Sequence, residues 1–156
     1  MNKSEGFTLI ELLVVIGVIA ILAAIVLVAV NPGRQFANAR DTQRRSDLYS
    51  ITNAVYQFAA EHDGNLPDTD GDDTASNFPQ SATCIGTDTA GGCFNLASAT
   101  DEAGTETVVP TYIAEMPADP VSGTAADTQY TIYEDANGRI VAEATGELTD
   151  TITVTR

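Results

Sequence analysis

Read as a pattern of apolar and polar positions, the chain begins with a short polar leader. From Leu12 to Val30 it then runs LLVVIGVIAILAAIVLVAV, 19 residues without a charge. A helix of that length covers about 28 Å at 1.5 Å per residue, close to the hydrocarbon thickness of a bilayer. Valine and isoleucine are frequent in the run, but a lone strand in lipid would leave its backbone groups unpaired, whereas a helix pairs them internally. Asn31-Pro32-Gly33 ends the run. Pro32 suits a kink or the first turn of a new helix, with Asn31 as its candidate cap. Arg34 to Ala60 then reads as helix, with Leu48, Ile51, Val55 and Phe58 at the spacing of one face. Asp63-Gly64 is a stop signal.

Past the second helix the rhythm changes. Residues 65–106 are rich in Asp, Thr, Gly, Ser and Ala and read as a long surface loop. Residues 107–156 read as strands: Thr107–Ile113, Gln129–Glu134, Arg139–Ala144 and Thr151–Thr155. Asp135-Ala136-Asn137-Gly138 is a hairpin turn signal. Tyr130, Ile132, Ile140, Ala142, Ile152 and Val154 then form the sheet face that packs on Leu48, Ile51, Val55 and Phe58. The expected fold class is α+β, a long N-terminal helix whose second half lies on a small antiparallel sheet. Residues 37–47, ANARDTQRRSD, hold no large apolar side chain and are expected to be solvated, with their arginines available to acidic neighbours. His62 is expected to face solvent near the helix end.

Charge sharpens this division. The 156 residues carry a net charge of -15. Residues 1–61 are balanced, whereas 62–156 hold only Arg139 and Arg156 against 17 acids. Such a surface repels phosphates, which argues against direct nucleic-acid binding. Cys84 and Cys93 have no further Cys or nearby His that would make a zinc site. In an exported domain a disulfide is the natural reading, worth roughly 2–3 kcal/mol for so short a loop. Asp68, Asp70 and Asp72 alternate as calcium ligands do, but Asp73 stands where an EF-hand loop needs Gly and Pro79 where it needs the closing Glu. They are candidates beside the plainer reading of a solvated acidic loop, and no other cofactor is expected.

Glu11 at the edge of the apolar run demands an explanation. A charge held in hydrocarbon costs roughly 2.5–3.5 kcal/mol on insertion scales and normally marks a function and a partner. A secretory signal peptide fits poorly: Lys3 is the single base of the leader, and Leu22 and Leu27 occupy the positions where cleavage after Ala24 or Ala29 would need a small residue. The stretch Gly6-Phe7-Thr8-Leu9-Ile10-Glu11-Leu12-Leu13-Val14-Val15 resembles the processing motif of type IV pilins and type II secretion pseudopilins. The resemblance implies cleavage between Gly6 and Phe7 by a prepilin peptidase, N-methylation of Phe7, and pairing of Glu11 with the Phe7 ammonium of a neighbouring subunit. It divides the chain into a leader (1–6), an apolar segment for membrane and filament core (7–31), and an amphipathic helix with a small α+β head (32–156). Tyr112 to Pro120 resembles the Tyr-…-Pro-x-Asp-Pro element of major pseudopilins.

The implied protein is a non-enzymatic structural subunit of a type IV pilus. Its expected partners are copies of itself in a helical filament, the cytoplasmic membrane before assembly, the peptidase and the pilus assembly machinery. The implied location is the cytoplasmic membrane with the N-terminus inside, then the cell surface. Arg34, Arg40, Arg44 and Arg45 after the apolar run argue for the opposite orientation by charge alone. Peptidase access to Gly6 and the cysteine pair argue for the first. The alternatives are a major pseudopilin and, from another class, a monomeric membrane-anchored or secreted cation- or ligand-binding domain. No nucleophile–base pair, phosphate loop or metal cluster is visible for an enzyme.

Overall fold

A computed structural model describes residues 6–71, 76–101 and 103–156. The chain forms two compact units, Met1–Ala37 and Asn38–Arg156.

The first unit is built on α1, Leu9–Val30. It has no buried residue, since apolar side chains point outward on every side of it. Asn31 closes α1 in the left-handed conformation, at φ 46°, which Asn tolerates better than most residues. The second helix, α2 (Pro32–Glu61), begins immediately. Proline at its first position forfeits no hydrogen bond, and the N–H of Arg34 donates to the Asn31 carbonyl at 3.1 Å.

The second unit, the head, contains α2 from residue 38 and a four-stranded antiparallel sheet in the order β1-β2-β3-β4. The strands are β1 (Thr83–Cys84), β2 (Tyr130–Glu134), β3 (Ile140–Thr145) and β4 (Thr151–Thr155). Register aligns Ile132 with Ala142 and Val154, and Tyr130 with Ala144 and Ile152. These residues belong to one buried cluster with Leu48, Ile51, Ala54, Val55 and Phe58 of α2. The period-2 and period-3.6 faces expected from the sequence therefore meet, and the second half of the helix lies on the sheet. Small side chains at Ala142 and Ala144 in a central strand suit a close helix approach. Gly138 takes φ 75° in the β2–β3 turn, where the Asp135 carboxylate accepts the N–H groups of Asn137 and Arg139.

Two expectations are corrected. Residues 65–106 are more than a surface loop. They contribute β1 and bury Phe78, Ile85, Phe94, Leu96 and Ala99 in the core. These residues follow no helical or strand period, so periodicity could not reveal them, yet each large one stabilises by about 1.5–3 kcal/mol when buried. Thr107–Ile113 is not a strand. It forms a helical turn, α3 (Val108–Thr111), that buries Val108. Pro110 has no N–H to give a ladder.

The first correction has a direct test. Leu96→Ala removes a side chain with no exposed surface and should cost about 2–5 kcal/mol. Urea unfolding of the full chain in detergent, followed by the circular dichroism of the head, checks this. A loss below about 0.5 kcal/mol, ordinary for surface positions, would return the segment to the surface.

Candidate processing and assembly site

The polar group nearest the apolar helix is built by the first turn of α1. Thr8 is its N-cap, in extended conformation, and Glu11 stands three residues on. The N–H and hydroxyl of Thr8 donate to Glu11 Oε2 at 2.9 and 2.7 Å, and the Glu11 N–H donates to the Thr8 hydroxyl at 3.3 Å. This is a capping box, which satisfies orphan N–H groups of the first turn reciprocally. Thr-x-x-Glu before an apolar run is its sequence signature. Gly6 and Phe7 precede it, both exposed, Phe7 at 81%. Gly6 has free space around its Cα. Glu11 is the one charged residue of α1. At 22 residues, α1 reaches about 33 Å, and among the described residues it is the one helix long and apolar enough to cross a membrane.

These features have counterparts in known proteins. Residues 1–27 match the family model for the prokaryotic N-terminal methylation motif. Over this N-terminal segment the chain is similar to proteins that carry that motif. It is also 40% identical over 63 residues to the type IV wide pilus major component PilA4 of Thermus thermophilus. That match takes in 36% of the chain and 48% of PilA4, so it spans about half the length of that relative. No solved structure gives a significant match.

In the head, Cys84 and Cys93 are joined by a disulfide, with Cα atoms 4.6 Å apart. Asp68 is buried, and its Oδ1 accepts the N–H groups of Asp70 and Gly71 at 2.6 and 3.2 Å, so this carboxylate shapes its own turn. Asp70 is exposed, and Asp72 lies outside the described residues. Among the described residues no three His, Cys, Asp or Glu side chains converge as a metal site.

The largest departure from the sequence reading is at residues 37–47. Arg44 is buried, its side chain 4% exposed. Its Nε donates to Asp119 Oδ2 at 2.5 Å, and one terminal nitrogen donates to Asp41 at 2.8 Å and Glu147 at 3.1 Å. Arg40 grips Glu147 with two nitrogens. Asp41 also accepts the N–H groups of Glu147 and Leu148. Asp119 Oδ1 accepts those of Val121 and Ser122. Gly146 makes the turn after β3 possible, since a Cβ there would lie 2.3 Å from the Thr149 carbonyl oxygen. One turn further along α2, Asp47 receives the buried Tyr130 hydroxyl at 2.8 Å.

These arginines serve the head's own fold. The signal was present in the helix phase: counting back from Leu48 by four and then three gives Arg44 and Asp41 on the inward face. A stretch without large apolar side chains suits solvent, but a paired charge also fills an inward position. His62 is corrected too. Its ring stacks on Phe58 at 4.2 Å, Nδ1 lies 2.8 Å from the Phe58 carbonyl, and Nε2 lies 3.7 Å from Glu106.

Electrostatics follow the geometry. Burial alone would raise the Asp119 carboxyl, but the Arg44 guanidinium and the Ser122 and Val121 N–H groups outweigh it and hold the pKa at about 2. Asp41 and Glu147 are lowered as well; burial opposes the shift in Asp41, and Arg40 leads it in Glu147. Depressed carboxylates stabilise the fold above their unfolded values near 4 and lose that contribution as pH falls through the folded values. Head stability should therefore fall steeply between about pH 4 and pH 2. Arg44→Ala strands two buried carboxylates and should cost about 3–5 kcal/mol at neutral pH. It should also flatten the acid limb. Urea unfolding of both proteins across pH 2–7 checks this, and equal pH profiles would show that the cluster does not act as described.

Proposed function

We propose that this chain is a type IV pilus subunit, cleaved between Gly6 and Phe7, N-methylated on Phe7 and assembled into a helical surface filament through α1. Before assembly it sits in the cytoplasmic membrane with the N-terminus inside. The observation that carries the reading is α1 itself: a helix with no buried residue, led by a single carboxylate and preceded by the matched processing motif. Its apolar surface needs a lipid environment or copies of itself.

The capping box adds a physical detail. Among the described residues Glu11 accepts hydrogen bonds at Oε2, from Thr8. A carboxylate has about four lone-pair sites, so Oε1 can receive a neighbour's Phe7 ammonium while the cap persists. In an apolar core an unpaired Glu11 is costly, and breaking a buried pair typically costs about 3–5 kcal/mol. Glu11 thus checks register between subunits. A pseudopilus of a type II secretion system uses the same physics, and the Tyr112 to Pro120 element keeps it as the second reading. Adhesion, motility and DNA uptake are roles such a pilus would serve.

Two substitutions test the proposal. Gly6→Val should block processing, leaving full-length precursor in the membrane fraction and no fibres in material sheared from cells. Glu11→Ala should lower fibre yield by roughly a hundredfold or more, as expected for losing a buried partner. Wild-type fibre yield from either variant, seen by electron microscopy, would contradict the proposal.

A further inference from the structure

The outward face of α2 within the head differs from the rest of its surface. From Thr42 to Ala60 the exposed residues Thr42, Arg45, Ser46, Tyr49, Ser50, Asn53, Tyr56, Gln57 and Ala60 include no acid, and the exposed Glu61 that ends the helix accepts the Tyr112 hydroxyl at 3.0 Å. The acids of this stretch, Asp41 and Asp47, are turned inward and committed to Arg44, Gln43 and Tyr130. With Arg40 and Arg44 held by Glu147, Asp41 and Asp119, Arg45 is left: among the described residues it forms no ion pair. Arg45, Tyr49, Asn53, Tyr56 and Ala60 follow one another at steps of three or four, so they form one stripe. Tyr49 and Tyr56 are 46% and 37% exposed. Arg and Tyr are the residue types that most often carry binding energy at interfaces.

The remaining surface has the opposite character. Residues 62–156 hold 17 acids against two arginines, and Arg139 is already paired with Asp135 at 2.6 Å. Asp88, Glu115 and Asp150 are among the acids left exposed. We infer that the Arg45–Tyr49–Tyr56 stripe of α2 docks on the acidic head surface of a second copy of this chain. The inference rests on the filament reading and adds a lateral contact outside the apolar core. Charge complementarity selects the occupant: heads packed side by side with only acids facing would repel. An acid-free stripe with one uncommitted cation lets two such heads meet.

The chain's composition supplies a clean test. Lys3 is its single lysine and lies in the leader, so mature subunits would have no side-chain amine. In Arg45→Lys the new amine is the single side-chain amine of a mature subunit; a zero-length carbodiimide joins amines to carboxylates in contact, and peptide mapping separates a link at residue 45 from one at the Phe7 amine. Sheared Arg45→Lys fibres should give covalent dimers and higher ladders, with peptide mapping placing the link between residue 45 and an acid of 62–156 in another subunit. Wild-type fibres should not give that link. Arg45→Glu should reduce fibre yield roughly tenfold at low salt, with recovery at high salt, as screening removes the repulsion. Arg45→Lys fibres that stay monomeric after cross-linking, or that link residue 45 only within its own chain, overturn the inference and leave the filament reading intact. Should Arg45→Lys make no fibres, the Arg45→Glu salt response decides, and unchanged yield at low salt overturns it. Wild-type cells that release no fibres overturn the filament reading, and this inference falls with it.

Discussion

An apolar helix with no buried residue among the described residues is the constraint behind everything else in this protein. Folding normally buries apolar surface within the chain, but every side of α1 remains outward. Transfer from water into lipid or into a bundle of like helices is strongly favourable for such a surface. The two environments are nearly equal in polarity, so the helix can exchange one for the other. What distinguishes them is the polar group at its end. Without a neighbour Glu11 is satisfied by its own capping box; in the proposed filament a neighbour's ammonium would lie within its reach. Association would then depend on register, because hydrophobicity alone would accept many.

The head solves a separate problem. It carries a large excess of negative charge and yet must close around a modest core. Three acids from different segments converge on two arginines of α2, which ties the loop after Asp119 and the β3–β4 turn to the helix. Among the described residues no buried side-chain nitrogen or oxygen lacks a partner. A buried network of this kind specifies one arrangement more than it adds stability, because desolvation of its charges offsets much of their attraction. Its second effect is to turn Asp41 away from the outer face of α2, as the Tyr130 hydroxyl does Asp47.

Much of this was legible in the sequence because periodic burial writes itself into periodic sequence. The α2 face at Leu48, Ile51, Val55 and Phe58 and the alternation in β2, β3 and β4 follow from helix and strand geometry. The processing motif is a run of specific residues and needs no fold to be seen. Three things were harder. Residues 65–106 bury Phe78, Ile85, Phe94 and Leu96 without regular spacing, so their role depends on a tertiary surface no local pattern encodes. Thr107–Ile113 has strand composition, and only the missing donor at Pro110 argued otherwise. The Arg44 cluster joins residues 75 and 103 positions apart, and a charge facing inward looks like a charge facing water until its partners are known. The capping box is legible as Thr8-x-x-Glu11, although the charge of Glu11 beside an apolar run is the louder signal.

The most direct test of the central claim, that α1 is freed of its leader and moves from membrane to filament, is the intact mass of the protein in fibres sheared from cells. The expected mass is that of a chain beginning at Phe7 with one added methyl group and with Cys84 and Cys93 oxidised. A chain that still begins at Met1, or one found solely as a solitary membrane protein, would contradict it.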